Sequence, residues 1–112
     1  MMPRYVNRHE NKGTLPFEVV DLISASVLLI REMSCDRVKG WKPTMIMGQC
    51  TNESDQRWEI TSDPEALTFR IRLDKRGDWK DTSGKVYELA ENPVRFHRFS
   101  FLGGVYNVDG DE

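Results

Sequence analysis

The sequence predicts an all-β domain, and the expected architecture is a small two-sheet β-sandwich of roughly seven or eight short antiparallel strands. Segments in which apolar and polar residues alternate recur at intervals of roughly 8 to 12 residues. Turn-forming residues separate these segments, and the chain has no internal repeat or low-complexity stretch. This pattern is typical of small sandwiches and barrels.

Length and charge limit the domain organisation and the partners. The 112 residues suit one compact unit, with 16 Lys plus Arg against 18 Asp plus Glu and a net charge of -2. This balance argues against nucleic acid as a partner, and no apolar run approaches the roughly 20 residues that span a bilayer. The start has no apolar segment typical of an export signal, so we expect synthesis in the cytoplasm.

We expect three regions along the chain. Residues 1–13 are almost devoid of apolar side chains, which predicts a flexible N-terminal arm with a docking role for Arg4 and Tyr5. Residues 14–108 are expected to form the single sandwich domain. Residues 109–112 form an acidic tail.

Residues 15–33 admit two interpretations. Thr14 is a plausible helix N-cap with Pro16 in the first turn, which would give an α+β fold with one helix. Against a helix, apolar residues cover all sides, many are β-branched, and Ser24-Ala25-Ser26 interrupts the segment. Two strands, Phe17 to Val20 and Ala25 to Met33, are therefore the favoured prediction.

The middle of the chain predicts a loop and two strands. Ser34 to Pro43 is polar and is predicted to be a loop, in which Trp41 either caps the core or is exposed to a partner. Thr44 to Thr51 is a strand candidate. In Arg57 to Thr61, alternation predicts that Trp58 and Ile60 point inward.

The clearest strand is Leu67 to Leu73, where alternation is unbroken and places Leu67, Phe69, Ile71 and Leu73 on the core face. Turn signals at Lys75-Arg76-Gly77 and Thr82-Ser83-Gly84 lead into Lys85 to Leu89. The stretch 67–89 is therefore predicted to be a β-meander.

Two further strands are predicted near the end of the chain. Val94 to Phe101 changes parity between Phe96 and Phe99, which suggests a β-bulge. Gly103-Gly104 then precedes the strand Val105 to Val108.

No pattern in the chain predicts catalysis. There is no nucleophile and base pair, no close set of metal ligands and no phosphate-binding loop; His97 has only Ser100 near it. We therefore expect no enzyme activity, no catalytic residue, no metal and no cofactor. Cys35 and Cys50 could pair, although reduced thiols are favoured.

Basic residues suggest one candidate surface. Arg70 and Arg72 lie on the polar face of the central strand and could form a stripe with Arg95, Arg98 and His97. An ordinary solvated face is the favoured interpretation.

The segment from Pro16 to Arg31 resembles the opening of the β-sandwich domain found at the N-terminus of bacteriophage baseplate upper proteins and related tail attachment modules. The matching residues are Asp21, Leu22, Ala25, Ser26, Val27, Leu29 and Arg31. The resemblance implies a sandwich that holds other virion proteins in place. It does not imply an enzyme.

The expected function is a non-enzymatic structural or assembly protein of a phage tail, neck or baseplate, located in the virion. Its partners would be proteins, including other virion proteins and further copies of the chain. The candidate partner-binding residues are Arg4, Tyr5, Trp41, Arg70 and Arg72. The alternative is a small soluble regulator or inhibitor that binds a single host protein; a ligand-binding or hydrolase-like barrel is the least favoured.

Overall fold

The computed structural model describes residues 3–99, and these residues form β-strands with one short 3-10 turn at Glu53–Asp55. No α-helix occurs in this part of the chain, so the prediction of an all-β domain is confirmed. In chain order the strands are β1 (Tyr5–Glu10), β2 (Gly13–Ser24), β3 (Val27–Glu32), β4 (Ser34–Arg37), β5 (Met45–Ile46), β6 (Gln49–Cys50), β7 (Trp58–Thr61), β8 (Thr68–Leu73), β9 (Trp79–Lys80), β10 (Val86–Ala90) and β11 (Phe96–His97).

The main sheet is a closed barrel of six antiparallel strands in the order β1-β10-β9-β8-β3-β2. Pairing of β1 with both β10 and β2 closes it. A sheet closed on itself leaves no free edges and is not a pair of separate sheets, so this architecture differs from the predicted sandwich. We call the end at turns 25–26 and 74–78 the upper end, and the end at turns 11–12 and 81–85 the lower end.

The prediction of a flexible arm over residues 1–13 was wrong for the part that the structure describes, residues 3–13. Tyr5–Glu10 is the strand that closes the barrel, and Val6 in its centre is fully buried. The segment has few apolar residues because polar residues also occupy buried positions in it. Asn7 is buried, accepting a hydrogen bond from the Val94 amide at 3.0 Å and donating one to the Asn92 carbonyl at 3.3 Å.

Residues 15–33 form strands, so the helix alternative was wrong. β2 is longer than predicted, because it continues through Val20 to Ser24. Two register shifts against β3, between Val19 and Asp21 and between Leu22 and Ser24, interrupt its alternation. These irregularities explain why apolar residues cover all sides of this segment in sequence.

The predicted meander is confirmed, since β8 pairs with β9 and β9 with β10. The Asp74 carboxylate accepts hydrogen bonds of 2.9 Å from the amides of Arg76 and Asp78, and Gly77 has a φ of +90°. These contacts build the first turn. One detail of the prediction was wrong: Leu67 precedes β8 and is 89% exposed.

The barrel is filled by one apolar cluster with aromatic rings at its centre. Phe17 contacts Tyr87 edge to face at 5.2 Å between ring centroids, and contacts Phe69 at 5.8 Å. The buried members of the cluster are Val6, Phe17, Leu28, Ile30, Ile71, Trp79 and Tyr87. Burial of this surface is the main source of fold stability.

Two short hairpin-like sheets lie outside the barrel. β4 pairs with β7, where Trp58 and Ile60 are half-buried and Glu59 is exposed, as the alternation predicted. The single strand predicted over Thr44 to Thr51 is instead the hairpin β5–β6. Met47 and Gly48 both have positive φ, which reverses the chain between these strands.

The last described strand, β11, docks on the start of β2. Phe96 is opposite Thr14 and His97 is opposite Gly13. The predicted strand Val105 to Val108 and the acidic tail at 109–112 lie outside the described residues.

Candidate binding surfaces

A cleft of about 590 Å³ lies between the lower end of the barrel and the small sheet β4–β7. We call it the Trp41 cleft. Barrel residues, strand β4, the loop that follows it and the segment before β11 each contribute to the wall. The lining residues are Leu15, Glu32, Met33, Cys35, Asp36, Arg37, Val38, Lys39, Gly40, Trp41, Lys42, Trp58 and Arg95. Its volume is in the range of small-ligand and peptide pockets.

Trp41 is positioned by the turn after β4. Its backbone amide donates to the Val38 carbonyl at 3.1 Å, and Gly40 supplies the left-handed φ of +94° that this turn requires. The indole packs against Phe99 at 5.4 Å between ring centroids. The indole Nε1 is buried and has no hydrogen-bond partner within residues 3–99.

Trp58 and Arg95 form a fixed part of the wall. The guanidinium of Arg95 lies 4.8 Å from the centre of the Trp58 ring, a cation–π contact. Arg95 also donates to the carbonyl oxygens of Phe96 at 2.7 Å and Thr14 at 3.3 Å. The Trp58 indole donates to Gln56 Oε1 at 2.7 Å. These contacts orient both side chains before any ligand binds.

Two side chains beside the 3-10 turn hold the segment that follows Arg95. The side chain of Gln56 pairs with the backbone of His97 as a neighbouring strand would. Its Nε2 donates to the His97 carbonyl at 2.9 Å, and its Oε1 accepts from the His97 backbone amide at 2.7 Å. The Glu53 carboxylate accepts from the Phe99 amide at 2.6 Å. The 3-10 turn therefore fixes Phe99, against which Trp41 packs.

Charged side chains of both signs line the cleft. Among residues 3–99, its wall carries four cationic residues and two carboxylates. The cations are Arg37, Lys39, Lys42 and Arg95, and the carboxylates are those of Glu32 and Asp36.

Cys35 lines the cleft as a thiol that is hard to ionise. Burial raises the pKa of Cys35 to about 11, and the nearby Arg95 charge only partly opposes this. The thiolate, which is the nucleophilic form, is therefore scarce at neutral pH. Cys35 and Cys50 are both free thiols.

A second surface lies at the upper end of the barrel, where three leucines occupy interior-facing positions but remain exposed. Leu22 is opposite the buried Leu28. Leu73 is opposite Trp79, and Leu89 is opposite Val6. Their exposed fractions are 46% for Leu22, 37% for Leu73 and 41% for Leu89. We call these three residues the barrel mouth.

The five predicted partner-binding residues do not form one site. Trp41 lines the cleft, while Arg4 and Tyr5 lie at the upper end, with the Arg4 guanidinium 5.8 Å from the Tyr5 ring. Arg70 and Arg72 are exposed on the outer face of β8. Strands β3 and β2 separate them from β11, so the structure does not join them with Arg95 in one stripe.

Sequence reasoning missed most of the cleft. Arg37, Lys39 and Lys42 flank Trp41 in a loop of ordinary polar composition, and the only signal was a tryptophan among basic residues. Nothing in the local pattern places Arg95 over Trp58, because the two residues are distant in sequence and meet only when β11 docks on β2.

Within residues 3–99, no group of three or more His, Cys, Asp or Glu side chains is arranged to hold a metal ion. No helix in this range has the length and apolarity required to cross a membrane. Comparison with protein-family models, curated proteins and solved structures gave no match to this chain.

Proposed function

We propose that this chain is a non-enzymatic structural or assembly protein of a phage virion, in a tail, neck or baseplate, and that it acts through protein–protein contacts. The virion role rests on the resemblance at Asp21 to Arg31. The observation that supports assembly through contacts is the barrel mouth, where Leu22, Leu73 and Leu89 are each more than a third exposed.

Leucines at interior-facing positions are normally covered by the next layer of the core. At the mouth, nothing within residues 3–99 covers these three side chains enough to bury them. Exposed apolar patches commonly mark protein contact sites in soluble proteins. We propose that the mouth is covered by a second copy of the chain in a homo-oligomer.

The test is the solution mass of the full chain by size exclusion with light scattering over a range of concentrations. We expect an oligomer that becomes a monomer in the variant Leu22→Asn, Leu73→Asn, Leu89→Asn. Leu67→Asn is the matched control, because Leu67 is 89% exposed outside the mouth and should leave the mass unchanged.

A small regulator that binds one host protein is the second candidate, and the Trp41 cleft favours it. A monomeric wild-type chain at every concentration would contradict assembly through the mouth and would favour the regulator. If the triple variant remains an oligomer, the contact between copies lies outside the barrel mouth.

A further inference from the structure

We propose that the unpaired edge of β8 at Thr68 to Arg70 binds an extended acidic segment of a partner protein, which adds to the barrel wall as a short strand. Addition of a strand to an exposed sheet edge is a common mode of peptide recognition. This surface differs from the barrel mouth, and the inference does not depend on the assembly role.

The first argument is the direction of the backbone groups of β8. The Asp74 amide donates to the Asp78 carbonyl at 2.8 Å, across the turn that leads to β9. Backbone groups of alternate residues point to the same side of a strand. Those of Arg72, Arg70 and Thr68 therefore also point towards β9.

Strand β9 is too short to pair with all of these residues, although the barrel is closed in strand order. The ladder ends where Lys80 lies opposite Arg72, and the chain then enters the turn at 81–85. Within residues 3–99, no backbone hydrogen bond reaches Arg70 or Thr68 from this side. Both residues are exposed, so their N–H and C=O groups form an edge that an added strand can use.

The second argument is space beside this edge. A groove of about 460 Å³ is lined by Phe69, Arg70 and Arg72 of β8 and by Asp81 and Thr82 of the β9–β10 turn. Its volume is in the range of peptide pockets. Phe69 is half-buried, so an apolar side chain in the groove can pack against its ring.

The third argument is charge. Arg70 and Arg72 are exposed, and neither forms an ion pair within residues 3–99. The carboxylates of the groove are already engaged: Asp74 pairs with Lys80 at 3.1 Å, and Asp81 accepts hydrogen bonds from amides of its own turn. The charge left without a partner is positive, which favours an acidic occupant.

The same charges disfavour a second copy of this edge as the occupant. Two β8 edges paired antiparallel about Arg70 would place the two Arg70 side chains directly opposite each other, and like charges in that position are destabilising. In a segment that alternates acidic and apolar residues, a carboxylate would lie opposite Arg70 and an apolar side chain opposite Phe69.

The experiment uses the full chain labelled with ¹⁵N and the peptide acetyl-Thr-Glu-Val-Glu-Thr-amide at up to millimolar concentration. We expect a saturable, salt-sensitive downfield shift of the Arg70 amide signal, because this amide gains a hydrogen bond. The Ile71 amide points towards β3 and should shift less. A control peptide with Gln in place of each Glu should bind more weakly.

Methylated peptides test strand pairing separately from charge. When the peptide pairs antiparallel with Thr68 and Arg70, the N–H groups of both Glu residues point towards β8 and that of Val points away. N-methylation of the two Glu residues should therefore abolish saturable binding. N-methylation of Val should leave the affinity within about threefold, because it removes no bond to β8.

A pair of variants tests the charge. Arg70→Glu with Arg72→Glu should weaken binding about tenfold, because it reverses the unpaired charge beside the edge. Lys75→Glu with Arg76→Glu changes the net charge equally on the exposed β8–β9 turn and should leave affinity within about twofold.

Three results would overturn the proposal. The first is the absence of a saturable shift of the Arg70 signal at millimolar peptide. The second is equal binding of the two methylated peptides or of the Glu and Gln peptides, or an equal loss of affinity in the two variants. The third is an Arg70 signal that moves downfield as the chain alone is concentrated, which would show that a second copy covers the edge.

Discussion

The guanidinium of Arg8 donates a hydrogen bond of 2.8 Å to the phenol oxygen of Tyr87 inside the lower end of the barrel. The phenol in turn donates to the Asp81 carboxylate at 2.7 Å. Arg8 also lies 5.0 Å from the centre of the Phe17 ring, so a cation is built into the edge of the core. Asp81 accepts from the Ser83 and Lys85 amides, which ties this network to the β9–β10 turn.

The Arg8–Tyr87 contact predicts that Tyr87→Phe is destabilising despite its small change in volume. Removing the hydroxyl leaves Arg8 and Asp81 without their shared partner in a partly buried place, so we expect a loss of about 1.5 to 3 kcal/mol in the free energy of unfolding. Urea denaturation followed by circular dichroism measures this. Tyr5→Phe is the control, because Tyr5 lies at the other end of β1; an equal loss there would contradict the prediction.

Alkaline pH should remove the same stabilisation. Burial and the hydrogen bond to Asp81 raise the pKa of Tyr87 to about 12, against the opposing effect of Arg8, from an ordinary value of 10.0. The folded state therefore favours the neutral phenol, and its contribution is complete below pH 10 and lost as the pH rises through about 12. We expect the difference in the free energy of unfolding between wild type and Tyr87→Phe to decrease as the pH rises from 10 to about 12. A constant difference from pH 9 to 12 would refute the assignment.

Glu18 should produce the opposite dependence on pH. Burial raises its pKa, but hydrogen bonds from Ser62 and Arg31 and the Arg31 charge outweigh this effect, so the net pKa lies below the ordinary 4.5. The stabilisation is present above pH 4.5 and is lost as the pH falls through the lower folded value.

Glu18→Gln should therefore be less stable than wild type at pH 7, by about 1 to 3 kcal/mol, and the two should converge at acid pH. Thermal unfolding from pH 7 to 3 provides the measurement. Glu59→Gln, on the exposed face of β7, serves as the control. A difference that persists unchanged at pH 3 would mean that the loss comes from packing and not from the carboxylate charge.

Gly13→Ala should disrupt the docking of β11. An added Cβ would lie 1.8 Å from the Phe96 carbonyl oxygen, and the φ of +139° is itself strained for alanine. We expect a loss of more than about 3 kcal/mol, part of it from backbone strain of about 1 to 3 kcal/mol. Chemical denaturation measures the loss.

Gly77→Ala is the matched control, since its φ is +90° but open space surrounds the added Cβ. This variant should lose only the stability that corresponds to backbone strain at a positive φ. If both variants lose the same free energy of unfolding, the clash with Phe96 does not contribute to the loss in Gly13→Ala.

Sequence pattern predicted the elements whose side chains alternate cleanly. β8 and β7 follow the alternation, and the turn residues around Gly77 and Gly84 delimit the meander. The pattern failed for β1, because its interior positions include Arg8, which reaches the core through its contacts with Tyr87 and Phe17. It also failed for Thr44 to Thr51, where Met47 takes a positive φ that is rare for its residue type.

The all-β class and the positions of most strands along the chain follow from local alternation, because the strand period and turn chemistry depend on neighbouring residues. Closure of the barrel and the Trp41 cleft depend instead on contacts between residues far apart in the chain. β1 pairs with β10 because the sheet closes into a barrel. Arg95 contacts Trp58 because β11 docks on β2. Such long-range pairs leave no periodic signal in a single sequence, so only the tertiary structure specifies them.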